Sequence, residues 1–239
     1  VRTVTGKLRL GVGDMTVLYA LAITHTRDKV NRPILERAYS LSSDLGTVAK
    51  TIAKEGMEGI KKFKAVVGKP IRPMLAERLP TAQEILEKLG GKGAAEYKLD
   101  GERLQIHKKD EQVTLFSRRL ENISSHYPDV IGLSRTHIKA EKAIVECECV
   151  AVNPDTGELL PFQELMHRRR KYGIEKAMEK YPVSLYMFDV LYVDGEDYTL
   201  KPYTERRKEL EKIIVQDDQV KVVPNLVTSD LDKLEVFFE

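Results

Sequence analysis

The sequence EYKLDGER at residues 96–103 decides how the rest of the chain is interpreted. It predicts the end of a β-strand, a tight turn at Gly101 and a returning strand, because glycine tolerates the backbone angles of turns. Side chains alternate between the two faces of a strand, so Glu96, Lys98 and Asp100 are expected on one face. An amine between two carboxylates fits a solvated surface ladder and also fits a lysine nucleophile. The pattern alone does not separate these two interpretations.

A nucleophilic role for Lys98 requires surroundings that favour its neutral amine. A lysine amine has a reference pKa of about 10.4 and is therefore almost fully protonated at neutral pH. Nearby cations or desolvation favour the neutral, reactive form. Arg103 and Arg118 are the candidate sources of positive charge in this sequence, together with metal ions brought by a nucleotide.

The segment KLDG at 98–101 matches the K-x-D-G motif of covalent nucleotidyltransferases, the superfamily of DNA ligases, RNA ligases and mRNA capping enzymes. Three fixed residues are a weak signature, but further segments resemble ATP-dependent DNA ligases of the archaeal and eukaryotic replicative type. The resemblance has the same order and spacing, covers nearly the whole chain and is specific to the DNA ligase branch. The segments are EYKLDGERLQIH at 96–107, FSR at 116–118, YPD at 127–129, VECECV at 145–150, PFQE at 161–164 and YMFD at 186–189.

The resemblance and the hydrophobic periodicity together predict an α+β protein in two domains. Residues 1–68 would be the C-terminal part of an all-helical DNA-binding domain. Residues 69–239 would be an adenylation domain, ATP-grasp-like, with a mixed or antiparallel sheet. The linker GKPIRPMLA at 68–76 contains two prolines, which favour extended backbone. Over residues 1–70 there are 13 Lys and Arg against 6 Asp and Glu, a balance that suits a polyanionic partner.

The resemblance implies an enzyme that seals nicks in duplex DNA during replication, repair and recombination. Its cofactors would be ATP, which leaves AMP covalently on Lys98, and Mg²⁺. Asp100 would orient the Lys98 amine. Glu96 would accept a hydrogen bond from the adenine amino group and so select ATP over GTP. Arg103 and Arg118 would bind the nucleotide, although Arg118 also fits a surface arginine at a strand end.

Two later positions complete the nucleotide site that the resemblance implies. Glu148, rather than Glu146, matches the second acidic motif, where it would bind the ribose or help to hold Mg²⁺ through hard oxygen ligands. Phe188 would stack on the adenine ring. The plain alternatives are that Glu146 and Glu148 lie on the solvated face of a sheet and that Phe188 belongs to the core.

Contacts with DNA are expected from the basic first domain. Lys7 and Arg9, in GKLRLG at 6–11, are the predicted DNA-binding residues. The lysines of the third predicted helix and the run HRRRK at 167–171 fit solvated surfaces as well as phosphate contacts, which give sequence-independent affinity. The implied partner is nicked double-stranded DNA, and the family also admits a sliding clamp that docks through segments outside this chain.

Several family motifs do not occur in this sequence: the start of the helical domain, an E-G-x-x-x-K strand, a further lysine motif and an OB-fold domain. We therefore expect a fragment or cleaved product that seals nicks poorly or not at all and retains weak nucleotide binding or traces of self-adenylation. Two rival interpretations stay open. One is an RNA ligase or a GTP-using capping enzyme, and the other is a non-catalytic DNA-binding module with Lys98 on its surface.

Composition excludes other classes of protein. The sequence contains no run of about 18 apolar residues, so a membrane partner is not expected. Cys147 and Cys149 lie two residues apart on a predicted strand, a spacing at or beyond the limit for a disulfide, so reduced thiols are expected. The resemblance implies a cytoplasmic, nucleoid-associated protein in an archaeon and a nuclear one in a eukaryote.

Overall fold

A computed structural model describes residues 11–169 and 173–238 of the chain. The chain divides into two compact units, Val1–Pro73 and Met74–Glu239. The described part of the first unit is helical, and the second unit combines helices with a largely antiparallel sheet. This arrangement confirms the predicted α+β class. The boundary between the units falls inside the segment at 68–76 in which two prolines predict a linker.

Three α-helices make up most of the first unit: α1 (Asp14–Thr26), α2 (Arg32–Ser42) and α3 (Leu45–Lys61). Pro33 lies in the first turn of α2, where its missing N–H is harmless. The Asp44 carboxylate accepts a hydrogen bond from the Thr47 N–H at 3.1 Å and so caps α3. The buried side chains shared by these helices are Leu18, Ala22, Leu35, Ala38, Tyr39, Val48, Ile52 and Ile60.

Helix α3 is interrupted at Gly56, whose φ of 63° and ψ of −158° lie in a region that is essentially restricted to glycine. Ile52 before the break and Ile60 after it are both buried. The interruption therefore changes the direction of the helix while both of its parts keep an apolar side chain in the core.

The second unit is built on eight strands among the described residues. Their bounds are β1 Gly93–Glu96, β2 Glu102–Lys109, β3 Gln112–Ser117, β4 Lys142–Ala151, β5 Val183–Val193, β6 Glu196–Asp197, β7 Val220–Val222 and β8 Asn225–Thr228. Six of them form one sheet in the order β3-β2-β4-β5-β6, with β7 also pairing with β5, in parallel. The other two, β1 and β8, form a separate antiparallel pair.

The described α-helices of the second unit are α4 Ala82–Lys88, α5 Pro128–His137, α6 Phe162–Leu165, α7 Ile174–Lys180, α8 Tyr203–Ile213 and α9 Leu231–Phe238. Helices α5, α6 and α8 pack against the six-stranded sheet, whereas α9 packs against α4 and β8. One core forms between the sheet and helices α5, α6 and α8, with Leu104, Met187 and Leu210 fully buried. Cys147 and Cys149 lie in this core as free thiols, and burial raises the pKa of both. No helix within the described ranges is long and apolar enough to cross a membrane.

The predicted hairpin around Lys98 is wrong. Strand β1 does not pair with β2; it pairs with β8, with Glu96 opposite Asn225. Strand β2 pairs instead with β3 and β4. Residues 97–101 therefore belong to no strand and connect the two sheets. We name them the Lys98 connection.

Gly101 is required for a different reason than the predicted turn. A Cβ atom at this position would lie 2.3 Å from the backbone carbonyl oxygen of Cys149 and 3.0 Å from Cγ of Glu148. The Lys98 connection therefore passes directly against β4, at a distance that only a residue without a side chain allows.

Candidate active site

Lys98 and Asp100 are both exposed on the Lys98 connection. The residue before Lys98 is anchored: the Tyr97 ring stacks on Phe237 of α9, with the ring centroids 4.6 Å apart and the planes 24° from parallel. Stacked aromatic pairs in this range are favourable contacts. The amine of Lys98 is thus open to solvent on a segment that is held in place by its neighbours.

Glu148 is the carboxylate that β4 presents to the Lys98 connection. It is half-buried and accepts a hydrogen bond from the Gly101 N–H. Burial raises the pKa of Glu148, while the positive charges of Lys98 and Arg103 and the Gly101 hydrogen bond act in the opposite direction. The structure therefore brings together Lys98, Glu148 and Arg103, three of the residues that the sequence predicts for the site.

Four polar side chains of β2 and β4 are joined by an ion pair and hydrogen bonds, beginning at Arg103. Glu146 forms an ion pair with Arg103 and accepts a hydrogen bond of 2.9 Å from Nε2 of Gln105. The Gln105 oxygen lies 2.8 Å from Nε2 of His107. We call Arg103, Gln105, His107 and Glu146 the buried polar row. Only 4% of Glu146 is exposed, so the solvated-face alternative is wrong for this residue.

The protonation of the buried polar row follows from its geometry. Because the Gln105 amide nitrogen donates to Glu146, the Gln105 oxygen faces His107, and Nε2 of His107 must carry the proton of that hydrogen bond. Burial lowers the pKa of His107 to about 4, so the ring is neutral at physiological pH. Burial also raises the pKa of Glu146, against the effect of Arg103.

Phe188 lies where β5 is irregular. The pairing of β4 with β5 shifts by one residue between Glu146 and Cys147, which leaves Phe188 without a partner opposite it. Such bulges redirect side chains and are frequent beside active sites. Phe188 is half-buried rather than part of the core, and the Arg103 guanidinium lies 5.3 Å from its ring centroid.

Glu96 is held by helix α8, which sequence reasoning did not connect with the site. Oε1 of Glu96 accepts from the Tyr203 hydroxyl at 2.7 Å and from Nη1 of Arg207 at 3.1 Å. Nδ2 of Asn225 in turn donates to the Tyr203 oxygen at 2.9 Å. Burial, and then the hydrogen bond with Glu96, raise the pKa of Tyr203 to about 12.

One predicted site residue, Arg118, is not joined to this group in the described structure. Arg118 is exposed just after β3, and among the described residues no hydrogen bond or ion pair ties it to Lys98 or Glu148. Lys7 and Arg9 lie outside the described residues.

A second polar cluster explains the YPD segment and part of the basic run at 167–171. Arg168 is fully buried, donates to both carboxylate oxygens of Asp129 at 2.8 and 2.5 Å, and lies 5.0 Å from the Tyr127 ring centroid. Arg168 is therefore neither solvated nor available to a phosphate, contrary to both interpretations of the run.

The Tyr127 hydroxyl donates to Glu102 at 2.6 Å, and Arg169 forms an ion pair with Glu102. Because Glu102 follows Gly101 directly, this cluster fixes the end of the Lys98 connection.

The described residues of the site offer a magnesium ion few protein ligands. Among the described residues, no group of three or more His, Cys, Asp and Glu side chains is arranged to hold a metal ion. Magnesium is commonly held by one or two carboxylates together with water and substrate phosphates. The half-buried carboxylate of Glu148 fits that mode of binding, in which a phosphate-bearing substrate supplies other ligands.

Comparison with known proteins places the chain among ligases. The profile of the family described as "ATP dependent DNA ligase domain" matches residues 73–239. The DNA ligase of Sulfophobococcus zilligii is 56% identical over 238 residues, which is 100% of this chain and 39% of that protein. The DNA ligase of Staphylothermus marinus is 55% identical, covering 100% of this chain and 40% of that protein.

Among solved structures, the ligase domain of M. tuberculosis LigD aligns with a TM-score of 0.43 and 23% identity, covering 56% of this chain and 40% of that chain. The chain spans about two fifths of the length of the curated relatives it matches. The family profile nevertheless covers more than half of this chain, and these relatives match it from end to end. The resemblance carried by EYKLDGER is thereby confirmed, and the chain belongs to the ATP-dependent DNA ligase family.

Proposed function

We propose that this chain carries the nucleotidyltransferase site of an ATP-dependent DNA ligase that seals nicks in duplex DNA during replication, repair and recombination. The relatives named DNA ligase support this activity. The observation that carries the proposal is the placement of the exposed Lys98 amine beside Glu148 and Arg103, on a connection that Gly101 presses against β4.

Lys98 is the proposed nucleophile. Its neutral amine attacks the α-phosphorus of ATP, an N–P bond forms, the P–O bond to pyrophosphate breaks, and a proton leaves the amine for solvent. Asp100, two residues further on, orients the amine. The AMP then passes to the 5′-phosphate of a nick, and the neighbouring 3′-hydroxyl displaces AMP to close the backbone. Each transfer needs alignment and charge rather than additional covalent chemistry.

Arg103 and Arg118 supply positive charge for this reaction in the proposal. Arg103 has five N–H donors, and its ion pair with Glu146 fixes the guanidinium while other donors remain for the nucleotide. Glu148 would hold Mg²⁺ together with substrate phosphates or bind the ribose. Magnesium, when bound, would neutralise phosphate charge.

Glu96 and Phe188 are the proposed base-recognition residues. The hydrogen bonds that hold Glu96 within the described structure all reach Oε1, which leaves Oε2 as an acceptor for the amino group of adenine. Guanine has a carbonyl oxygen at the equivalent position and cannot donate there. Phe188, half-exposed at its bulge, offers a ring face for stacking.

The first unit is the proposed DNA-binding part. Its excess of basic residues supports contacts with phosphates, and Lys50 and Lys54 are exposed on α3. Lys7 and Arg9 remain the predicted contacts near its beginning. The partner would be nicked duplex DNA, with a sliding clamp as a further one. Action on chromosomal DNA would place the protein at the nucleoid in an archaeon and in the nucleus in a eukaryote.

The first reaction step tests the proposal, because every residue proposed for it lies in this chain. We would incubate the chain with α-labelled ATP and Mg²⁺ and separate it on a denaturing gel. Lys98→Ala removes the nucleophile, and Lys109→Ala removes another exposed lysine at the end of β2 as the matched control. We expect label on the wild type and on Lys109→Ala and none on Lys98→Ala. Equal labelling of Lys98→Ala, or an unlabelled wild type, would contradict the proposal.

A further inference from the structure

Helix α8 reaches the predicted base-recognition carboxylate with two side chains. Tyr203, its first residue, and Arg207, one turn later, both donate to Oε1 of Glu96. Positions four apart lie on the same face of a helix, which is why both can reach one acceptor. No hydrogen bond to Oε2 of Glu96 occurs among the described residues.

Both donors are fixed by contacts of their own. The Arg207 side chain is only 11% exposed and also bonds Glu211 at 2.6 Å, so its guanidinium has one orientation. The Tyr203 oxygen accepts from Asn225, and Asn225 lies directly opposite Glu96 in the β1–β8 pair. The side chain of Glu96 is therefore tied to a helix and to the neighbouring strand.

We infer that Arg207 and Tyr203 are positioning residues for nucleotide selection, which hold Oε1 of Glu96 so that Oε2 is presented to the six-amino group of an adenine nucleotide. The inference rests on the proposed function, because it assumes that Glu96 recognises the base. It assigns to α8 a role in discrimination between purines, in addition to its packing against β5.

The expected consequence is specific to one part of the nucleotide. Lys98, Arg103, Glu148 and Phe188 would contact features that ATP and GTP share. A Glu96 side chain that loses its donors can rotate, and it then loses the hydrogen bond that only adenine offers. Loss of Arg207 therefore lowers affinity for ATP and leaves affinity for GTP nearly unchanged.

Equilibrium dialysis with radiolabelled nucleotides tests this inference. ATP, GTP and purine riboside triphosphate, which lacks the amino group, are measured with the wild type, Arg207→Met and Tyr203→Phe. Lys212→Met is the matched control, because Lys212 is a 72% exposed cation on the same helix, paired only to Glu209 in the described structure. Thermal melting verifies that each variant is folded.

We expect the ATP-to-GTP affinity ratio to fall by about tenfold in Arg207→Met, the size of one hydrogen bond to a charged group. A smaller fall is expected in Tyr203→Phe, and none in Lys212→Met. Binding of purine riboside triphosphate should be the same in the wild type and in Arg207→Met, because this nucleotide has no amino group to lose.

Two results would overturn the inference while the proposed function stands. One is an unchanged ratio in Arg207→Met and Tyr203→Phe although Glu96→Gln lowers it. The other is an equal loss of ATP and GTP binding in Arg207→Met, which indicates a structural role alone. A wild type that binds neither nucleotide, or binds both equally, would instead contradict the proposed nucleotide site, and the inference with it.

Discussion

Glu146 and Glu148 lie two residues apart on β4, but they belong to two different regions of the molecule. Glu146 is 4% exposed and is engaged by Arg103 and Gln105 within the buried polar row. Glu148 is half-buried at the Lys98 connection and receives the Gly101 N–H. A buried carboxylate whose partners come from the protein has a structural use, whereas Glu148 retains capacity for a ligand.

The difference shows that the residues which hold the site rigid are not the residues which are accessible to a ligand. Polar side chains in a low-dielectric interior must all be satisfied, and such networks fix one conformation. The buried polar row meets that requirement and holds Arg103. The Lys98 connection lies outside both sheets, so Lys98 stays accessible while Gly101 and Tyr97 locate its ends.

The largest effect is expected when the two carboxylates are removed separately. Glu146→Ala leaves Arg103 without its buried partner and should lower the free energy of unfolding by about 3 kcal/mol. Glu148→Ala removes a carboxylate that is costly to bury and should change it by less than about 1 kcal/mol, while abolishing adenylation of Lys98. Urea denaturation and the labelling gel measure both quantities. Equal destabilisation by the two changes would show that Glu146 and Glu148 have the same structural role.

The next largest change in the free energy of unfolding is expected where the Lys98 connection lies against β4. Gly101→Ala places a methyl group against the Cys149 carbonyl and should lower the free energy of unfolding by about 2–3 kcal/mol. We also expect it to abolish adenylation of Lys98. Gly132→Ala is the matched control, because nothing lies within 4 Å of its Cβ position in α5, where alanine should stabilise by about 0.5–1 kcal/mol. A neutral effect of Gly101→Ala in denaturation would mean that the connection is not held against β4.

Acid should weaken the buried polar row through His107. Its folded pKa of about 4 lies below the ordinary value of 6.5, so between these values the unfolded chain binds a proton that the native chain does not. The contribution of neutral His107 to the free energy of unfolding is complete above pH 6.5 and is lost as the pH falls towards 4. At pH 5 the loss amounts to about 2 kcal/mol. His107→Gln should remove this part of the pH dependence in urea titrations at pH 7 and pH 5. Parallel curves for wild type and variant would contradict it.

The smallest effect concerns the anchoring of the Lys98 connection by aromatic stacking. A double-mutant cycle with Tyr97→Leu and Phe237→Leu should give a coupling of about 0.5–1.5 kcal/mol, because the two rings are stacked. Adenylation should fall only a few-fold in either variant. A coupling near zero would show that the connection is positioned by Gly101 and Glu102 without the aromatic pair.

Local signals in the sequence were sufficient for much of the fold. Pro33 predicts the first turn of α2, Ser43 or Asp44 predicts the cap of α3, and Thr81 with Glu84 predicts the cap of α4. In the structure Asp44 and Thr81 are the caps, and Pro33 lies in the first turn. The segment VSLYMFDVLYV at 183–193, apolar on both faces and followed by the turn residues Asp194 and Gly195, predicts a central strand, and β5 has the same bounds. These features depend on interactions between residues close in the chain.

Features that depend on distant partners were not predictable in the same way. Glu96 and Lys98 alternate as in one strand, but the partner of β1 is β8, more than a hundred residues later. Likewise, nothing beside Arg168 in the sequence indicates its pairing with Asp129, and nothing beside Glu96 indicates Arg207. The register shift at Phe188 also arises between strands rather than within one.

In the proposed reaction the accessible Lys98, and no other residue, receives the adenylate. The most direct test is peptide fragmentation by mass spectrometry after incubation with ATP and Mg²⁺, on the wild type and on Lys98→Arg, which keeps the charge. We expect a single adenylate, mapped to Lys98, and an unmodified Lys98→Arg chain. An adenylate on any other residue, or one that persists in Lys98→Arg, would rule out Lys98 as the nucleophile.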